Sequence, residues 1–226
     1  MRLKFLYTLL GCGLFLSCLD KDDTPRMFSP KSDSGITFQN RVEDSTQLNI
    51  LNYLYFYNGA GTAIADFNND GINDIYFTAN QGPDHLYIGQ GNLKFENQTA
   101  TSGINNSQGW TTGVTTVDIN ADGLMDIYIS KVAQHLDLKG HNLLYINQGT
   151  RDGKVYFKEA AAAFGLDFSG YSTQAAFFDY DLDGDLDVYV LNHSLYPNGN
   201  YGKGSTRKRI DAIAGDKLYR NDSLQF

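Results

Sequence analysis

Asp66-Phe67-Asn68-Asn69-Asp70-Gly71-Ile72-Asn73-Asp74 decides the fold, because the same pattern returns twice further along the chain. It recurs as Asp118-Ile119-Asn120-Ala121-Asp122-Gly123-Leu124-Met125-Asp126 and as Asp179-Tyr180-Asp181-Leu182-Asp183-Gly184-Asp185-Leu186-Asp187, at spacings of 52 and 61 residues. An apolar run follows each copy in phase: Ile75-Tyr76-Phe77, Ile127-Tyr128-Ile129 and Val188-Tyr189-Val190. Beyond it lies a second shared element, Asp84-His85-Leu86-Tyr87, Asn142-Leu143-Leu144-Tyr145 and Asp216-Lys217-Leu218-Tyr219. A third occurs as Phe95, Thr99, Gly103 and Ile104, then at the same offsets as Phe157, Ala161, Gly165 and Leu166. Elements that keep their order over about 50 residues mark a structural repeat.

One unit reads as a small-residue strand (Gly61 to Ala65), the acidic loop, a β-branched and aromatic strand (Ile75 to Ala79), a Leu-Tyr strand, and a short strand at Leu93 to Phe95. Short strands broken by Gly, Asn and Asp are the signature of β-structure. Helical periodicity is nearly absent, and the Ala-rich piece Glu159 to Phe164 amounts to a turn or two. The predicted fold class is all-β: propeller-like blades of four antiparallel strands, about three blades present. Propellers close with about four to eight blades, so the ring is expected to be incomplete. Leu224-Gln225-Phe226 stands where Leu93-Lys94-Phe95 stands in the first unit, which implies a piece of a longer protein, with self-association as the other way to finish the ring.

Alternate positions of a tight loop can aim oxygens at one centre, and a hard dication such as Ca²⁺ takes about six to eight of them. The predicted ligands are Asp66, Asn68, Asp70, Asp74 and the Ile72 carbonyl in residues 66–74. In residues 118–126 they are Asp118, Asn120, Asp122, Asp126 and the Leu124 carbonyl, and in residues 179–187 Asp179, Asp181, Asp183, Asp187 and the Asp185 carbonyl. Gly71, Gly123 and Gly184 permit the sharp turn. About three Ca²⁺ sites follow. An EF-hand would need a Glu at the twelfth position, where Phe77, Ile129 and Val190 stand inside strands.

At the N-terminus Arg2 and Lys4 precede the apolar run Phe5 to Leu16, the layout of an export signal and too short to span a bilayer. Phe15-Leu16-Ser17-Cys18 resembles a lipobox, so residues 1–17 read as a lipoprotein signal peptide and Cys18 as the lipidated residue; Leu9-Leu10-Gly11-Cys12 is a second, poorer lipobox. Residues 18–34 read as a lipid-anchored flexible tether, and 35–226 as the repeat region. Asp20-Lys21-Asp22-Asp23 resembles an acidic tag for the outer face of the outer membrane, which implies an outer-membrane, lipid-anchored, surface-exposed protein. Both cysteines fall in the signal region, so no disulfide staples the body. The net charge of −8 becomes −10 once Arg2 and Lys4 are lost. That acidity argues against nucleic acid and against membrane contact other than through the lipid.

No catalytic set emerges, and the chain reads as a non-enzyme. The three Glu residues, Glu43, Glu96 and Glu159, form no carboxylate pair, and His85, His135, His141 and His193 are scattered, as surface or turn residues would be. From the last loop Asp to the Leu of the Leu-Tyr strand the intervals are 12, 18 and 31 residues. These variable connections should lie opposite the acidic loops. The longest, His193 to Gly215, carries Tyr196, Tyr201, Lys203, Arg207, Lys208 and Arg209. Tyr196, Tyr201, Arg207, Lys208 and Arg209 are the residues expected to contact a glycan or protein ligand.

The repeats resemble the FG-GAP or VCBS type of integrin-like propellers. The lead-in Gly35-Ile36-Thr37-Phe38, with Tyr57-Asn58-Gly59 before the first loop, resembles the N-terminal part of lipoproteins of Bacteroidetes type that carry these repeats, some of which end in an ASPIC and UnbV domain. The resemblance covers Gly35 to Phe226, with no ASPIC and UnbV segment among these residues. It implies a calcium-binding cell-surface module for ligand recognition or adhesion. The alternative is part of a calcium-dependent, lyase-like polysaccharide-degrading enzyme whose catalytic residues lie outside this chain.

Overall fold

The computed structural model describes residues 27–106, 109–194, 209–224 and 226. Asp33–Phe226 form one compact unit. The signal peptide, residues 1–17, and Cys18, together with Tyr196, Tyr201, Arg207 and Lys208, lie outside the described residues. Among those described, no helix is long and apolar enough to cross a membrane.

Among the described residues three antiparallel sheets follow one another in sequence. The first contains β1 (Thr62–Ala65), β2 (Asp74–Phe77), β3 (His85–Gly89) and β4 (Phe95–Asn97), hydrogen-bonded in that order. The second contains β5 (Trp110–Val117), β6 (Asp126–Val132), β7 (Leu143–Arg151) and β8 (Lys154–Glu159) in the same order. The third contains β9 (Ser172–Phe178), β10 (Asp187–Asn192) and β11 (Lys217–Tyr219). Among the described residues the one α-helix, α1 (Ala161–Phe164), is a single turn between the second and third sheets. This is the all-β, blade-like architecture that the repeat predicts.

The short last strand differs from expectation, since β4 starts at Phe95 rather than Leu93. Asn92 and Leu93 both have left-handed backbone, with φ of 52° and 57°, and Lys94 N–H closes a turn onto the Gly91 carbonyl at 3.0 Å. A turn in that conformation cannot join the ladder.

In each unit a short segment packs on the outermost strand through a glycine. Gly35, Gly103 and Gly165 have φ of 87°, 78° and 74°, and a Cβ on any of them would lie 2.5 to 2.6 Å from the carbonyl oxygen of Phe95, Phe157 or Phe226. The amides of those phenylalanines donate to the carbonyls of Ser34 (2.8 Å), Ser102 (2.7 Å) and Phe164 (3.3 Å). Phe226 therefore meets Gly165 as Phe95 meets Gly35 and Phe157 meets Gly103, although it lies outside the strands of the third sheet.

The core lies between sheets. Ala63, Phe67, Tyr76, Leu86 and Ile88 of the first pack with Val114, Ile127, Ile129, Tyr145 and Phe157 of the second. Val117, Ile119, Tyr128, Leu144 and Ile146 of the second then pack with Ala175, Val188 and Val190 of the third. The first strands run side by side: Thr112 Oγ1 donates to the Ser172 carbonyl and Thr115 Oγ1 to the Ala175 carbonyl, both at 2.7 Å. Small residues make this approach possible, and a Cβ on Gly113 would collide with the Thr173 carbonyl.

Candidate metal centres

Each acidic loop joins the first and second strands of its sheet, so all three occupy equivalent turns. The loop is shaped by its own carboxylates. Asp66 accepts the amides of Asp70 (3.1 Å) and Gly71 (2.7 Å), and Asp70 Oδ1 accepts that of Ile72 at 2.8 Å. Asp118 accepts those of Asp122 (3.0 Å) and Gly123 (2.9 Å), and Asp122 that of Leu124 at 2.9 Å. Asp179 accepts those of Asp183 (3.2 Å) and Gly184 (3.1 Å), and Asp183 that of Asp185 at 3.2 Å. Gly71, Gly123 and Gly184 have φ of 84°, 84° and 99°, with nothing within 4 Å of a Cβ built on them, so conformation and not space selects glycine there.

The last Asp of each loop is fully buried and staples the blade. Asp74 accepts the amides of Phe67 (2.8 Å) and of Gly89 on β3 (2.7 Å). Asp126 does the same for Ile119 (3.1 Å) and Asn147 (2.7 Å), and Asp187 for Tyr180 (2.9 Å) and Asn221 (2.8 Å). Burial pushes Asp74 and Asp126 up to about 6, against the lowering effect of these amide bonds, and the neighbouring loop carboxylates add to the rise.

The third loop departs from the other two. Asn68 Nδ2 donates to Asp70 Oδ2 at 2.8 Å and Asn120 Nδ2 to Asp122 Oδ2 at 2.9 Å. Asp181, at the matching position, is a carboxylate and has no such proton. Carboxylate oxygens of Asp179, Asp181 and Asp187 instead converge within 4.8 Å of one another. Asp185 Oδ1 is buried with no hydrogen-bond partner. Loss of hydration raises Asp181 and Asp185, with Asp183 and Asp187 adding repulsion to both. Three converging hard oxygens fit a hard dication. Loops one and two offer the same oxygen-only donor set, with an asparagine in place of one carboxylate.

The loops also touch one another. Asn69 Nδ2 donates to the Gly123 carbonyl at 3.1 Å, and buried Asn147 donates to the carbonyls of Phe67 (2.9 Å) and Met125 (3.1 Å). Reading the sequence missed Asn147, although Asn221 stands at the same place in the third sheet and donates to the Leu186 carbonyl at 3.1 Å.

Antiparallel order puts the β2–β3, β6–β7 and β10–β11 connections at the sheet ends opposite the acidic loops, as the variable intervals predict. Here a second staple went unread. Tyr76 donates to Asp84 (2.8 Å) and Tyr189 to Asp216 (2.7 Å), while Asn142 Nδ2 donates to the Tyr128 hydroxyl at 3.0 Å. The same Asp84, Asn142 and Asp216 accept the amides of Ala79, Lys131 and Asn192. Buried Lys131 reaches Asn106 Oδ1, and Asn106 Nδ2 reaches Asp84, so a polar network crosses from the first sheet to the second. Burial pushes Asp84 up to about 6 and Lys131 down to about 8.

His135 and His193 correct the reading of scattered surface histidines. Half-buried, they bracket Tyr53, with ring centroids 5.1 and 5.7 Å from it, and Tyr53 hydroxyl lies 3.2 Å from His193 Nε2. Chain closure brings two connections 58 residues apart onto one lead-in tyrosine, which local spacing cannot show. A cavity of about 170 Å³ lies on this side, lined by Ser45, Gln47, Leu48, Leu136, Asp137 and Leu138. Of the five residues expected to bind a ligand, only Arg209 is among those described, and it is exposed.

Residues 66–129 match the FG-GAP-like repeat. The matched stretch holds the first two acidic loops and the strands between them. Cartilage acidic protein 1 from Mus musculus is 29% identical over 134 residues, which is 59% of this chain and 20% of that protein. The Xenopus tropicalis and Homo sapiens proteins of the same name are 27% and 26% identical over 135 residues, 59% of this chain and 20% and 19% of theirs. The chain thus spans about one fifth of the length of these relatives.

Proposed function

We propose that this chain is a calcium-stiffened recognition or adhesion module held outside the cell, and that it is not itself an enzyme. The convergence of Asp179, Asp181 and Asp187 within 4.8 Å carries the reading, because unscreened carboxylates at that distance repel and a dication relieves the repulsion. Asp66, Asn68, Asp70, Asp74 and the Ile72 carbonyl would hold one Ca²⁺. Asp118, Asn120, Asp122, Asp126 and the Leu124 carbonyl would hold the second, and Asp179, Asp181, Asp183, Asp187 and the Asp185 carbonyl the third. Three dications would reduce a mature charge of −10 to about −4. Affinity on the order of 10⁻⁴ to 10⁻³ M suits permanent filling outside the cell.

The FG-GAP-like repeat supports a propeller-type role in extracellular recognition, and relatives named for cartilage and acidity agree with it. Lipidation at Cys18 would hold the module at the outer-membrane surface. The ligand, a glycan or protein, would meet the variable connections, where Tyr196, Tyr201, Arg207, Lys208 and Arg209 supply aromatic and cationic contacts. The test is a glycan array and a cell-adhesion assay on the chain and on a variant with residues 193–215 replaced by a short Gly-Ser turn. Loss of signal in the variant, and in the intact chain under chelator, is expected; unchanged signal contradicts the assignment. Depolymerisation of an arrayed glycan by the chain alone would contradict the non-enzymatic reading.

A further inference from the structure

The first two acidic loops are tied together, and the second and third are not. Two runs of hydrogen bonds make the tie. In the interior, Asp74 accepts the Phe67 amide at 2.8 Å, the Phe67 carbonyl accepts Asn147 Nδ2 at 2.9 Å, and the Asn147 amide donates to Asp126 at 2.7 Å. One peptide and one asparagine therefore separate the last carboxylate of the first loop from the last carboxylate of the second, and Phe67, Asp74, Asp126 and Asn147 are all buried. At the surface, Asn69 Nδ2 donates to the Gly123 carbonyl at 3.1 Å, while the Gly123 amide donates to Asp118 at 2.9 Å.

Neither run is repeated toward the third loop. Ala121 stands where Asn69 stands, with φ of 55° against 56°, and its side chain has no donor. Asn221, the counterpart of Asn147, donates to the Leu186 carbonyl within its own unit at 3.1 Å. Among the described residues no hydrogen bond joins the second loop to the third.

Resting on the calcium assignment above, we infer that Asn69 and Asn147 are positioning residues that couple the first two metal centres: filling either loop raises the affinity of the other, and the third loop fills on its own. A bare loop holds carboxylates that repel one another, whereas a filled loop is ordered. Order in the first loop fixes Asn69 and the Phe67 carbonyl, and these hold Gly123 and Asn147 in place beside the second loop. The second loop then has less left to order, and linkage makes the effect mutual. Both loops offer the same donor set of three Asp, one Asn and a carbonyl, so their intrinsic affinities match and the steepness of filling reads the coupling.

Amide NMR of the chelator-stripped chain, titrated with Ca²⁺ in about 0.15 M KCl to screen charge between loops, follows each loop separately through Gly71, Gly123 and Gly184. Gly71 and Gly123 are expected on a shared curve with a Hill slope of about 1.4 or more, the slope that coupling of about fivefold gives two matched sites, and Gly184 on its own curve with a slope of about 1. Asn69→Ala alters no ligand and no charge, and it installs at an exposed position the residue that the second loop already carries there. It should lower the slope at both Gly71 and Gly123 and leave the Gly184 curve where it was. Slopes of about 1 at glycines that do respond to Ca²⁺ overturn the coupling while the calcium assignment stands. Slopes that Asn69→Ala leaves unchanged, or Gly184 sharing the steep curve, overturn it too, since the tie would then not run through these bonds. Three glycines that ignore Ca²⁺ would instead contradict the calcium assignment itself.

Discussion

The Tyr76 hydroxyl donates to Asp84 Oδ2 at 2.8 Å beneath a fully covered sheet, whereas its counterpart Tyr189 donates to Asp216 at 2.7 Å on an open face. The bonds are alike and their surroundings are not. Tyr76→Phe leaves a buried carboxylate short of a donor and should cost about 1–3 kcal/mol in urea unfolding. Tyr189→Phe exposes Asp216 to water, which replaces the hydroxyl, and should cost less than about 0.5 kcal/mol. Equal losses would refute this role for burial.

Loop carboxylates should separate into folding and binding roles. Asp126→Ala strands the buried amides of Ile119 and Asn147, at about 1–3 kcal/mol each, so metal-free protein should lose about 2–6 kcal/mol of stability. Asp122 is exposed, so Asp122→Asn should cost about 1 kcal/mol or less without metal and should weaken Ca²⁺ binding. Chemical denaturation in chelator, followed by Ca²⁺ titration of each variant, reads both effects.

The fourth position of each loop is left-handed, with φ of 56° at Asn69, 55° at Ala121 and 63° at Leu182. Asparagine tolerates that conformation and leucine does not, at a cost of about 1–2 kcal/mol. Leu182, fully in solvent, should therefore accept asparagine with a gain of about 1 kcal/mol in thermal unfolding. Gly103→Ala should do the opposite and cost more than about 2 kcal/mol, since its Cβ meets the Phe157 carbonyl oxygen at 2.5 Å with φ at 78°.

Asp84 and Lys131 make the metal-free protein's stability depend on pH in two windows. Folding raises Asp84 from 3.8 to about 6, so its contribution is complete below pH 4 and fades as pH climbs to 6. Folding lowers Lys131 from 10.5 to about 8, so its contribution is present above pH 10.5 and lost as pH falls to 8. Asp74 and Asp126 share the acid window, and the diagnostic is therefore the difference between wild type and Asp84→Asn. The variant should lose about 2 kcal/mol of stability change between pH 4 and 6. Parallel pH profiles would contradict the assignment.

Blades and acidic loops were legible because both are local: a nine-residue pattern and a period-two strand are written in consecutive residues. Where a local turn competed, as at Asn92 and Leu93, the strand boundary moved by two residues. The Tyr76–Asp84 staple was half legible, since the tyrosine recurs in all three units and its partner as Asp84, Asn142 and Asp216, but nothing in their spacing says that one bonds the other. Tyr53 with His135 and His193 was illegible, because three distant segments meet only once the sheets stand side by side. The difference between the third loop and the other two was visible as Asp181 for Asn68 and Asn120. Its consequence, three converging carboxylates, needed coordinates.

Calorimetric titration of Ca²⁺ into the chelator-stripped chain, with melting temperature recorded before and after, bears most directly on the central assignment. Saturable heat corresponding to about three ions per chain, together with a melting point that rises with Ca²⁺ as selective binding to the folded state requires, is the expected result. A flat titration with the melting point unmoved would mean that these carboxylates serve only to fold their own turns.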